Sequence, residues 1–149
     1  MGSEMCIRAR VDTVSNTVVA GIRANDVGQY DSAIDVALSN TAKVPDAGTN
    51  TTLGLIATNA NLSKAQLKKV AEMAHDGMAR AIRPIHTQFD GDTVFAVSMP
   101  WSEVETTADA QLNSIGIAGA KALEFAIVDA VRAAKSVGDV VACCDWYID

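Results

Sequence analysis

Asn50-Thr51-Thr52 stands where the small residues Gly48-Thr49 run into the apolar segment Leu53-Gly54-Leu55-Ile56-Ala57-Thr58. A threonine hydroxyl at such a junction can attack the carbonyl before it, provided the backbone is strained and the developing oxyanion is held. The peptide becomes an ester, and water opens it between Asn50 and Thr51. The freed α-amine of Thr51, with an unperturbed pKa of about 7.7–8, suits a general base near neutral pH. A threonine Oγ beside its own amine is an activated nucleophile. The same tripeptide is also ordinary text at a loop-to-strand junction, and alone it does not separate the two readings.

Further on comes Phe89-Asp90-Gly91-Asp92-Thr93-Val94-Phe95-Ala96. Carboxylates at Asp90 and Asp92, flanking a glycine, can orient a nucleophile, hold its ammonium or relay a proton. Placed together, they raise one another's pKa. Asp-Gly is equally what a tight turn between helix and strand uses. His75 and His86 have no Ser or Cys elbow and no metal-ligand partner at usable spacing. Both are read as structural, hydrogen-bonded to backbone. Lys68-Lys69 reads as a solvated face, and Trp101 and Trp146 as isolated residues without a stacking pattern.

These residues need elements to position them. Thr17 to Arg23 is rich in β-branched residues and predicts a strand. Asp31 is the candidate cap of a short helix over Ser32 to Leu38. Residues 40–50, with Asn, Thr, Pro and Gly, predict a loop. Thr51 to Thr58 predicts a near-continuous apolar strand buried on both faces. Ser63-Lys64-Ala65-Gln66 is a capping box. After it Leu67, Val70, Ala71, Ala74, Met78, Ala81 and Ile82 share one helical face, up to a stop at Pro84. Gly77 inside that helix calls for a closely packed neighbour. Phe89 to Thr93 predicts a turn, Thr93 to Met99 a second buried strand, and Thr107 to Lys135 a long helix that Gly116 and Gly119 split or notch. Strands alternating with helices give an α/β layering in one structural domain.

A chain of 149 residues with 49% hydrophobic residues can bury a sizeable core. The net charge of −6 disfavours a nucleic-acid footprint, which needs a basic face. No apolar run reaches membrane-span length, and the opening residues do not read as a signal peptide, so the cytoplasm is the expected location. Cys6, Cys143 and Cys144 form no disulfide framework and no metal-ligand spacing. Nothing else suggests a metal or organic cofactor. The glycosylation patterns at Asn50 and Asn61 are discounted. Residues 1–8 have no periodicity and read as a non-native or disordered start.

The separate signals gain force from their order. Asn50-Thr51-Thr52-Leu53-Gly54 is followed by Ala57-Thr58-Asn59-Ala60, then by Ala74-His75-Asp76-Gly77-Met78-Ala79-Arg80-Ala81-Ile82-Arg83-Pro84. His86-Thr87 and Phe89-Asp90-Gly91-Asp92-Thr93-Val94-Phe95 complete the series. From about Val18 onward this resembles the C-terminal part of the self-processing aminopeptidase family. That family includes the L-aminopeptidase/D-esterases, β-peptidyl aminopeptidases and nylon-oligomer hydrolases. The resemblance implies part of an αββα sandwich like that of N-terminal-nucleophile hydrolases, with different connectivity. It implies autocleavage at Asn50–Thr51, an upstream subunit region ending over 9–50, and a nucleophile-bearing region over 51–149. It also implies Thr51 as nucleophile, with Asp90 and Asp92 lining it as in the nylon-oligomer branch.

Family members carry a long region before the cut, with a lysine and an oxyanion-stabilising asparagine. Fifty residues precede Thr51 here, and no match to either was found among them. Asn16 lies too late. The expectation is therefore a chain truncated upstream, whose missing region is its partner. The expected substrate is a small peptide or amide, and uncovered sheet edges suggest a homo-oligomer. Two alternatives stand beside this: acyl transfer of the ornithine acetyltransferase type, which usually has an Ala-Thr-Met-Leu-like string absent here, and a non-catalytic α/β association module.

Overall fold

The computed structural model describes residues 8–39, 51–100 and 109–146. Its elements are β1 (Ala9–Asp12), β2 (Thr17–Ala20), β3 (Ile22–Arg23), β4 (Tyr30–Asp31), α1 (Ala33–Leu38), β5 (Leu53–Thr58), α2 (Lys64–Ala81), β6 (Ile82–Arg83), β7 (Thr93–Ser98) and α3 (Asp109–Ala133). The loop expected over 40–50, which includes Asn50, lies outside the described residues, as do Cys6 and Trp101.

Both halves of the capping box that starts α2 are formed. The Ser63 hydroxyl accepts the Gln66 N–H at 3.3 Å, and the Gln66 side chain accepts the Ser63 N–H at 3.0 Å. Val70, Ala74, Gly77, Met78 and Ala81 are the buried face. The helix stops earlier than its apolar pattern suggests. Ile82 is already extended and pairs with Arg10 of β1, while Arg83 pairs with Ala9. Arg83 precedes Pro84, whose ring disfavours helical geometry in the residue before it.

Helix α3 runs unbroken through Gly116 and Gly119, so these glycines notch it and do not split it. It lies against α2 so closely that a Cβ at Gly77 would overlap the Ala120 carbonyl oxygen. Gly77 is the price of that approach, and the neighbour its sequence position called for is α3. Ile56, Leu62, Val70, Ala74, Met78, Val94 and Leu123 make the main core between the helices and strands β5 and β7.

Strands β5 and β7 pair in parallel, with register from Leu53↔Thr93 to Thr58↔Ser98. The expectation that β5 is buried on both faces is not met, and β7 is buried on one face only. Gly54, Ile56 and Val94 face the core, whereas Leu53 (70% exposed), Leu55 (61%) and Phe95 (58%) face outward. The helices cover one face alone. An apolar run reads the same whether its outer face is covered by this chain or by another layer, which is why the pattern overstated the burial.

The remaining strands differ in detail from expectation. Thr17 to Arg23 is two strands, because the pairing partner changes at Gly21: β2 joins β1, and β3 joins β4. Strands β2, β1 and β6 form an antiparallel sheet in that order. Ser32, not Asp31, caps α1, since its hydroxyl accepts the Asp35 N–H while Asp31 is held in β4 opposite Ile22. Trp146 is not isolated: the Arg23 guanidinium lies 4.5 Å from its ring centroid. Lys68 and Lys69 are exposed beside Glu72, as a solvated face should be.

One buried charge ties the layers together. Glu124 of α3, 1% exposed, accepts from Arg80 Nε at 2.7 Å, from Lys121 Nζ at 3.0 Å and from the Thr13 hydroxyl. Burial pushes its carboxyl up, but the hydrogen bonds from Thr13, Arg80 and Lys121 outweigh it and bring the pKa down to about 2 from 4.5. A depressed carboxylate stabilises the fold above its unfolded pKa and loses that contribution as pH falls. A shift of this size corresponds to about 3 kcal/mol. Both cations are about half exposed, so about 2 kcal/mol is expected to survive solvent screening. Urea melts of wild type and Glu124→Gln should therefore differ by about 2 kcal/mol at pH 7 and converge between about pH 4.5 and pH 2. A constant difference across that range would show that Glu124 does not hold this charge.

Candidate active site

The parallel register that pairs β5 with β7 extends backwards past both strands. The Thr93 N–H donates to the Thr52 carbonyl at 3.0 Å, and the Thr52 N–H donates to Asp92 Oδ1 at 2.9 Å. Thr51 is thereby set beside Gly91. A Cβ at Gly91 would lie 2.8 Å from Thr51 Oγ1, so a side chain there would crowd the hydroxyl. The glycine between the two acids is what leaves the Thr51 side chain its place. Thr51 itself is exposed, within reach of an incoming molecule.

Asp90 and Asp92 stand on either side of this contact and are both buried, at 3% and 1% exposure. Asp90 closes the expected turn, with its carboxylate accepting the Thr87 N–H at 2.9 Å and its own N–H donating to the Thr87 carbonyl at 3.0 Å. Asp92 is the hub. It accepts from Arg8 at 3.0 Å and 3.3 Å through its two oxygens, and the same guanidinium lies 3.6 Å from Asp90. His86 Nδ1 sits 3.1 Å from Asp92 Oδ2, and His75 Nδ1 sits 3.3 Å from His86 Nε2.

The expectation that the paired acids raise one another's pKa fails at Asp92. Burial pushes its carboxyl up, but the Arg8 hydrogen bond and the Thr52 N–H together hold it below the usual carboxylate value. Asp92 is therefore an ionised acceptor near neutral pH. It orients the backbone next to Thr51 and is not a proton donor.

Three participants were not legible as such. Arg8 falls by sequence in the disordered start, yet its side chain is 3% exposed and is the counter-charge of both acids. No local signal marks it, since its partner is 84 positions away. His75 and His86, read as backbone-bonded, bond instead to each other and to Asp92. No local signal links them, since His75 lies inside α2 and His86 in the loop after Pro84. Among the described residues, no group of three or more His, Cys, Asp or Glu side chains could hold a metal ion, and no helix is long and apolar enough to cross a membrane.

Comparison with known proteins places this geometry in context. The model of peptidase family S58 matches residues 5–142. An uncharacterized aminopeptidase of Mycobacterium leprae is 40% identical over 114 residues, covering 70% of this chain and 32% of the relative. An uncharacterized aminopeptidase of Mycobacterium tuberculosis is 47% identical over 87 residues, covering 58% of this chain and 23% of the relative. A 6-aminohexanoate-oligomer endohydrolase of Agromyces is 34% identical over 97 residues, covering 65% and 26%. The chain thus spans at most about a third of the length of these relatives. With the family match running over nearly its whole length, the chain belongs to peptidase family S58.

Proposed function

We propose that this chain is the nucleophile-carrying part of a self-processing amidase, cut between Asn50 and Thr51 and acting through an acyl-threonine intermediate. The carrying observation is the convergence of Thr51 Oγ1, Gly91 and Asp92 at the head of two parallel strands. In this mechanism Thr51 Oγ attacks the amide carbon. The Thr51 α-amine takes the hydroxyl proton and passes it to the departing amine. Water then releases the acid and restores the hydroxyl. Asp92 fixes the Thr52 N–H, and Arg8 lies against both buried carboxylates, closer to Asp92. Every proton and bond in this sequence is supplied by Thr51, water and substrate, so the proposal includes no cofactor.

The names of the relatives, aminopeptidase and 6-aminohexanoate-oligomer endohydrolase, support a substrate with an amide bond near a free amine. They do not favour the acetyltransferase alternative. The outward apolar face of Leu53, Leu55 and Phe95 supports a second layer packed there by the upstream region, completing an αββα sandwich. Assembly into a homo-oligomer and a cytoplasmic location belong to the same proposal. The test is an assay of the chain joined to a relative's upstream region. L-amino-acid anilides and linear 6-aminohexanoate oligomers are the substrates, with mass spectrometry of the protein during turnover. Hydrolysis with an acyl adduct on the Thr51 peptide supports the proposal. A processed protein that hydrolyses neither and carries no adduct contradicts it and favours a non-catalytic association module.

A further inference from the structure

The hydrogen-bond chain His75–His86–Asp92 has no part in the mechanism above, although it ends on the carboxylate that holds the Thr51–Thr52 strand. We propose that His86, backed by His75, is a positioning residue that fixes the rotation of the Asp92 carboxylate and so the placement of Thr51. The inference rests on the reading of Thr51 as the nucleophile, but its test does not.

The geometry assigns each atom a role. An ionised carboxylate only accepts, so the His86 Nδ1, 3.1 Å from Asp92 Oδ2, must carry the hydrogen. Neutral His86 then has its lone pair on Nε2, which faces His75 Nδ1 at 3.3 Å. His75 must supply that hydrogen, which places both rings in the Nδ1–H tautomer. The rings meet edge to face, with centroids 4.9 Å apart. With Oδ2 occupied by His86, the carboxylate presents Oδ1 to the Thr52 N–H at 2.9 Å. Arg8 donates to both oxygens, at 3.0 Å and 3.3 Å, and His86 adds a second donor at Oδ2. His86 also holds a φ of +56°, in the left-handed region that non-glycine residues seldom occupy. The best replacement donor is asparagine, which tolerates that φ and whose amide nitrogen takes the place of Nδ1.

The chain contains two histidines, so ring spectra of the 15N-labelled protein are free of overlap. Long-range 1H–15N correlation at about pH 8, above the ordinary imidazole pKa, should show both rings as Nδ1–H tautomers. Amide exchange should then show Thr52 about tenfold less protected in His86→Leu than in wild type, and restored to within about threefold in His86→Asn. An Nε2–H tautomer at His86 overturns the proposal, and this reading requires no variant to fold. Thr52 protection unchanged in His86→Leu, or not restored by His86→Asn, also overturns it. None of these readouts uses cleavage at Asn50–Thr51. A protein with both tautomers and the rescue, but no self-cleavage even when joined to a relative's upstream region, would refute the hydrolase and leave His86 as the residue that positions the Asp92–Thr52 contact.

Discussion

Replacing Thr51 with alanine is expected to leave a folded protein in which the Asn50–Thr51 bond stays whole and amide hydrolysis falls to background. Thr51 is exposed and outside the core clusters, so the change in stability should stay within about 0.5 kcal/mol. The chemical effect should be far larger. Removing a nucleophile commonly costs about 10⁴–10⁶ in turnover, because no other group occupies its place. Thr51→Ser keeps a hydroxyl next to Gly91 and should keep cleavage, at a reduced rate. The comparison is made with intact mass and with substrate turnover in the chain joined to a relative's upstream region. Hydrolysis surviving in Thr51→Ala would move the chemistry to another residue.

Asp92→Ala is expected to have the largest effect on stability in the site. It takes from the Arg8 guanidinium, 3% exposed, its 3.0 Å carboxylate partner and leaves the Asp90 contact at 3.6 Å in place. It also strips the Thr52 N–H and His86 Nδ1 of their acceptor. Breaking a buried ion pair from one side typically costs about 3–5 kcal/mol. Asp90 remains to share the charge, so about 3 kcal/mol is expected. That is a large part of the roughly 5–15 kcal/mol that holds an ordinary domain together. Removing both charges with Arg8→Met and Asp92→Ala together should recover part of the loss, since the buried guanidinium is then gone, and only part, since Asp90 loses its Arg8 contact as well. Urea midpoints of the single and double variants measure this. A single-variant loss below about 1 kcal/mol would mean that water reaches Arg8 readily.

What could be read from the residues, and what could not, divides along physical lines. The capping box at Ser63 and the apolar stripe of α2 are local: they depend on neighbours three and four positions apart, and the structure reproduces both. The demand of Gly77 for a close partner was visible, though not which element would answer it. The Thr51 and Asp90–Gly91–Asp92 segments stood out by their order, and the parallel register of β5 and β7 brings them together. Arg8 was hidden because its meaning comes from a partner 84 residues on. His75 and His86 were hidden because a histidine near a proline states nothing about which ring faces it. The open face of β5 and β7 was misread because an apolar run alone does not state which of its side chains the helices reach.

In the proposed mechanism Thr51 becomes an N-terminal nucleophile by breaking the bond before it. Intact mass of the purified chain, alone and joined to an upstream region of relative length, tests this most directly. The account predicts two fragments divided between Asn50 and Thr51 in the extended protein, and Thr51 at the new N-terminus by sequencing. A single undivided mass from both proteins after prolonged incubation would contradict it.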